Sequence, residues 1–166
     1  MKFLLYIVTV LTFAASASAN ESTDGTKSVA DHTVVEMKPS YTRISIVNNQ
    51  IIVPVVIRNN GRIVAARMIL DTGASVTTIY SKLASELNLG KNKLLVIKST
   101  SANGTKTDTL LTKVDLIEVG DKLQANSEVI IMPVRSEIGA DGLLGHSFLR
   151  FFSFTIDYDN RLLSWN

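Results

Sequence analysis

Turn-forming residues recur along this chain at short intervals and leave room for little except short strands. Asn59-Asn60-Gly61, Asn103-Gly104, Gly120-Asp121 and Asp159-Asn160 each lie between runs rich in Val, Ile, Leu and Thr. Asn and Gly accept the positive φ that tight hairpins require. The flanking runs predict strands at residues 43–47, 51–58 and 62–70. They also predict hairpins pairing 94–100 with 105–112 and 114–119 with 124–134, and a closing hairpin over 154–165. Two helices are expected. One covers 80–89, with Leu83, Ala84 and Leu87 as its apolar face and Gly90 as its stop; a shorter one covers 146–151. Many short strands with little helix predict an all-β fold, a closed barrel or sandwich with one or two short helices.

Two segments of different character precede the first strand. MKFLLYIVTVLTFAASASA carries one positive residue, Lys2, then an apolar stretch from Phe3 to Ala15, then Ala17-Ser18-Ala19. Small residues at the last and third-last positions predict signal-peptidase cleavage after Ala19. The alternative is an uncleaved membrane anchor. Against it, Thr9, Thr12, Ser16 and Ser18 interrupt the run, and a spanning helix needs roughly 20 apolar residues. Residues 20–41 are polar around a short Val34-Val35 patch, which reads as a leader or linker. The expected organisation is a signal peptide at 1–19, a leader at 20–41 and one folded domain at 42–166. The product would be periplasmic or secreted, with no membrane span after cleavage.

Composition removes several classes of function. The 166 residues are 46% hydrophobic and 19% charged, with a formal net charge of +2, as in a globular chain. No three consecutive Lys or Arg occur, so nothing marks a nucleic-acid surface. The absence of Cys excludes disulfides, a thiolate nucleophile and a Cys-based metal site. His32 and His146 have no second ligand at metal spacing, so neither a metal nor a cofactor is expected. Ser75 falls one residue short of a Gly-x-Ser-x-Gly elbow, which also needs a strand-to-helix setting. His146 with Ser147 reads as helix surface rather than as part of a triad.

One acid is harder to dismiss. The run Met68-Ile69-Leu70 ends on Asp71, followed by Thr72-Gly73-Ala74-Ser75. A carboxylate at the end of an apolar strand is costly to bury without partners. A Thr-Gly turn supplies them: Gly permits a tight loop, and its N–H groups can hydrogen-bond the carboxylate. An ordinary Asx-type turn after a strand is the alternative. Farther along, Ala140-Asp141-Gly142-Leu143-Leu144-Gly145 places two apolar residues before a Gly and leads into the expected short helix. A Gly-tipped hairpin over 94–112 lies between the two motifs.

This order of motifs resembles the retropepsin-like aspartic proteases, and among them the small exported bacterial members, over about residues 43–165. The resemblance implies a retropepsin-like fold in which Asp71 is the catalytic acid and Thr72, Gly73, Ala74 and Ser75 complete its loop. Thr72 would bond across a two-fold axis and Gly73 would line the substrate backbone. Ser101, Ala102, Asn103, Gly104 and Thr105 would form the tip of a flap over the substrate, and Leu143, Leu144 and Gly145 would support the acid loop. Val96, Ile97, Ile130 and Leu143 would supply apolar walls. The residue after Gly73 is Ala74, as in retropepsins, where pepsin-like loops carry a Ser bonded to the carboxylate; activity is therefore expected in the mildly acidic range.

Carboxylate-driven peptide hydrolysis needs two acids sharing a proton. The chain has a single Asp-Thr/Ser-Gly; Asp24-Gly25, Asp121-Lys122 and Asp141-Gly142 lack the pattern. The expectation is thus an aspartic endopeptidase whose dyad is Asp71 from each subunit of a homodimer, acting on protein or peptide. Asp141 is expected to be a turn residue. The competing readings are a catalytically silent peptide-binding or assembly module of the same fold, and a structural β-domain, which would leave the Asp71 loop unexplained.

Overall fold

The structure is a computed structural model describing residues 40–100, 104–133 and 139–166. The expected signal peptide, the leader up to residue 39 and the flap residues Ser101, Ala102 and Asn103 lie outside the described residues. The chain begins with β1 (Ser40–Arg43), β2 (Ser45–Val47), β3 (Gln50–Asn59), β4 (Arg62–Leu70) and β5 (Thr77–Tyr80). Helix α1 (Ser81–Glu86) and a 3-10 turn (Leu89–Lys91) follow, then β6 (Leu95–Thr100), β7 (Lys106–Val119) and β8 (Lys122–Met132). The last elements are β9 (Gly142–Leu144), α2 (His146–Leu149), β10 (Phe154–Asp157) and β11 (Leu162–Trp165). None of the described helices is long and apolar enough to cross a membrane.

The strands form an eight-stranded sheet in the order β2-β3-β4-β9-β5-β8-β7-β6 and a three-stranded sheet in the order β1-β11-β10. β7 also pairs with β3, Ile57 opposite Ile117, which joins the two sides of the larger sheet into a ring. The all-β closed fold expected from the turn spacing is therefore what the chain adopts. Val53, Ile57, Met68, Ile79, Ile117, Val129 and Leu144 fill the interior and are fully buried. The small sheet brings Trp165 edge-on to Phe148, ring centroids 6.5 Å apart, and the Trp165 indole N–H donates to the buried Thr42 Oγ1 at 2.9 Å.

Several boundaries differ from expectation. The stretch expected as two strands, 105–112 and 114–119, is the single fourteen-residue β7. Lys113 does not break it, because Thr112 and Val114 stay buried while Lys113 turns outward toward Glu128 at 3.8 Å. The expected helix over 80–89 is shorter. Thr77–Tyr80 is strand, since its β-branched residues pair with β8 and β9. Asn88, left-handed at φ 57, then ends the helical path before the 3-10 turn. The helix expected over 146–151 stops at Leu149. β1 opens at Ser40 and pairs Ser40 with Trp165 and Tyr41 with Ser164. Those two residues, read in the sequence as the end of the leader, thus belong to the small sheet.

Candidate active site

Asp71 follows β4 directly, and its N–H still donates to the Leu144 carbonyl at 3.1 Å. The carboxylate is half-buried, and Oδ1 accepts the Gly73 N–H at 2.9 Å and the Ala74 N–H at 3.2 Å. Among the described residues Oδ2 accepts no hydrogen bond. The turn thus fixes the side chain by one oxygen and leaves the other open. Thr72, Gly73 and Ser75 are exposed, and Ala74 is half-buried. A Cβ on Gly73 would sit 3.2 Å from Asp71 Oδ1, so a larger residue would crowd the carboxylate.

The loop is held by a strand threaded beneath it. β9 lies between β4, to which it is parallel, and β5, to which it is antiparallel, so the chain from Asp71 to Val76 must cross over the end of β9. That crossing brings the two sequence motifs together. Leu144 is fully buried and Leu143 half-buried. A Cβ on Gly145 would lie 2.8 Å from the Ala74 and Val76 carbonyl oxygens, and one on Gly142 would run into the Thr78 carbonyl. Both glycines are required by close backbone approach. The His146 N–H donates to the Ala74 carbonyl at 2.7 Å, while its side chain is exposed.

Two residues read in the sequence as helix surface and as a turn residue, Ser147 and Asp141, support the site. The Ser147 hydroxyl accepts the Thr77 N–H at 2.9 Å and lies 3.2 Å from Thr77 Oγ1, which itself accepts the Gly145 N–H at 3.2 Å. Ser147 thus ties α2 to the far end of the acid loop. Its signal was a hydroxyl residue directly before the apolar pair Phe148-Leu149. Asp141 locks β9 to β4: Oδ2 accepts the Arg67 N–H, and the Asp141 N–H donates to the Arg67 carbonyl, both at 2.8 Å. The Asp141 carbonyl also accepts the Tyr80 N–H at 2.9 Å.

Strand registers define the surface beside Asp71. Ile69, Leu143, Thr78, Ile130, Leu111 and Leu95 lie opposite one another in sequence across β4, β9, β5, β8, β7 and β6. Laterally paired residues share a face, and Asp71, two residues beyond Ile69, continues on it. Ile97 belongs to this face as expected, but Val96 does not. Adjacent strand residues point to opposite faces, and Val96 is 70% exposed on the other side. Gly104 and Thr105 are exposed, Gly104 at φ +82 as a hairpin turn requires. Tyr80 stands on the Asp71 face; burial raises its phenol above the ordinary value near 10, and the Asp71 charge adds to the shift. Among the described residues no three His, Asp or Glu side chains could hold a metal ion.

A carboxylate turn carried on the crossing of a closed β-fold defines a retropepsin-like aspartic protease in architecture. Residues 53–148 match the aspartyl protease family model, and the chain belongs to that family. A retropepsin-like aspartic protease from Rickettsia conorii, solved by crystallography, has the same fold. Its TM-score is 0.57 at 22% identity, over 78% of this chain and 92% of that one. No curated protein matches the chain.

Proposed function

We propose that this protein is an exported aspartic endopeptidase that works as a homodimer, with one Asp71 from each copy forming the catalytic pair. The observation that carries this reading is the Asp71 carboxylate, held by two backbone N–H groups on one oxygen and open on the other. In the paired site the two carboxylates share one proton. The ionised member takes a proton from water as that water attacks the peptide carbonyl. The protonated member donates to the developing oxyanion. In this reading Thr72, exposed beside Asp71, bonds across the two-fold axis. The hairpin of β6 and β7 closes over the bound peptide and excludes water. Export rests on the residues 1–19 signal pattern.

The small sheet offers a route to the second copy. Among the described residues its order β1-β11-β10 leaves one edge of β10 unpaired, and β10 follows α2, which contacts the acid loop through His146 and Ser147. Phe151 and Tyr158, 55% and 60% exposed, bracket that edge. Asn166 N–H donates to the Ser153 carbonyl. Antiparallel alternation then turns the Thr155 backbone groups toward β11 and those of Phe154 and Ile156 outward. A two-fold pair of β10 strands centred on Thr155 satisfies both outward residues reciprocally.

The deciding experiment is peptide-library cleavage by wild type and by Asp71→Asn. The amide is nearly isosteric but can neither ionise nor share the proton. Hydrolysis should fall by at least about a thousandfold with an unchanged circular dichroism spectrum. Substantial turnover by folded Asp71→Asn would sink the assignment.

A further inference from the structure

The row of side chains that begins beside Asp71, apolar except for the buried Thr78, does not end at the cleft. Its last two members, Leu111 and Leu95, form part of the lining of a cavity of about 490 Å³ between the 3-10 turn, β7 and β8. Leu95 is 52% exposed there, an apolar floor open to solvent. Followed along the curved sheet through β9, β5, β8 and β7, the row crosses five strand spacings from β4 to β6, about 24 Å of surface at about 4.8 Å each. An extended peptide covers that distance in roughly seven residues.

The rim of the cavity is fixed and carries a net positive charge. Asn92 exchanges hydrogen bonds with the buried Asn59 at 3.0 and 3.3 Å and donates to the Lys113 carbonyl at 2.7 Å. The Thr112 hydroxyl donates to the Lys93 carbonyl at 3.0 Å. The backbone bearing Lys91 and Lys93 is therefore pinned at both sides. The lining holds Lys91, Lys93 and Lys113 against Asp115 and Glu128, one positive charge in excess: Glu128 lies 3.8 Å from Lys113, and Asp115 Oδ2 accepts the Asn60 N–H at 2.7 Å. Among the described residues Lys91 and Lys93 make no ion pair, and both are exposed.

We propose that this cavity is a distal binding site for an acidic segment of the substrate chain, some seven residues from the scissile bond, with Lys91 and Lys93 meeting its carboxylates and Leu95 and Leu111 its apolar groups. The proposal rests on the peptidase reading, because the row of side chains links the cavity to Asp71. Two exposed lysines on a preformed rim give modest, salt-sensitive attraction. The site therefore favours long substrates over short ones without touching the reacting bond.

The test compares one cleavable peptide with and without an acidic extension, Glu-Leu-Glu-Asp, placed about seven residues from the scissile bond on either side. In wild type the better-placed extension should lower KM about threefold to tenfold at low salt, with kcat unchanged, and 0.5 M NaCl should erase the gain. The Lys91→Glu/Lys93→Glu double variant should lose the gain and cleave the short peptide as wild type does. A basic extension that lowers KM equally, or a double variant that keeps the acidic advantage, overturns the site. If wild type cleaves no peptide, the peptidase reading falls. Anisotropy of the labelled acidic extension on the intact protein then decides the site alone: binding lost in the double variant supports it, and no binding to wild type overturns it.

Discussion

Asp71 owes its setting to two N–H donors and to what is missing beside them. No hydroxyl follows Gly73; Ala74 contributes only its backbone N–H at 3.2 Å. A Ser at that position would add a donor to the charged carboxylate and favour that form. Ala74→Ser should therefore move the acid limb of the kcat/KM profile to lower pH. An unshifted or upward-shifted limb in a folded variant would show that another group sets it. Gly142 makes a different residue-scale demand, since any Cβ there meets the Thr78 carbonyl. Gly142→Ala should destabilise the protein by about 1–3 kcal/mol, seen as a Tm roughly 4–12 °C lower. An unchanged Tm would mean that β9 can slide away from β5.

At the scale of elements, the crossing of β9 and the closing hairpin carry most of the consequences. The turn between β10 and β11 is built on Asp157, whose carboxylate accepts the Asn160 side-chain amide at 2.8 Å and the Asn160 N–H at 2.9 Å. These bonds hold the carboxyl below its ordinary range, the side-chain bond contributing most. A carboxyl that titrates lower when folded stabilises fully above its unfolded value, near 4. That contribution is lost as pH falls through the depressed folded value. Thermal unfolding of Asp157→Ala should show a small Tm deficit at pH 7 that shrinks below about pH 4. A deficit that is constant with pH would assign the effect to something other than the ionised side chain.

For the whole molecule, the β10 edge that no described strand covers turns the proposed dimer into a measurable geometry. The chain contains no Cys, so a single introduced thiol can only cross-link between copies. Facing Thr155 residues on the two-fold axis would have Cα atoms about 4.5–5.5 Å apart, within disulfide reach. Thr155→Cys should form a covalent dimer on mild oxidation, whereas Tyr41→Cys on the outer strand β1 should not. The opposite result would move the interface. Specific activity of the wild type should also fall on dilution, because a site shared by two chains is lost with the dimer; a fully active monomer would require an acid within one chain.

The sequence by itself determined the turn positions, the closed all-β class, and the acid loop with its distant Leu-Leu-Gly partner. These features depend on local chemistry: Asn and Gly at positive φ, alternation of apolar residues, and a carboxylate next to a Gly-bearing turn. Tertiary structure decided the rest. Whether residues 106–119 were one strand or two depended on pairing with β3, β6 and β8 together, which no local window contains. Thr77–Tyr80 became strand because β8 and β9 offered partners on both sides, although the residues just after it favour helix. Ser147 became a tie to Thr77 and Asp141 a lock on Arg67 only when β9 was threaded between β4 and β5. Val96 and Ile97 point to opposite faces by strand alternation alone, but which of them shares the Asp71 face was decided by the pairing of β6 with β7. The common reason is that a β-sheet closes contacts between residues far apart in the chain: Arg67 and Asp141 are 74 positions apart, and their hydrogen bond exists only after closure.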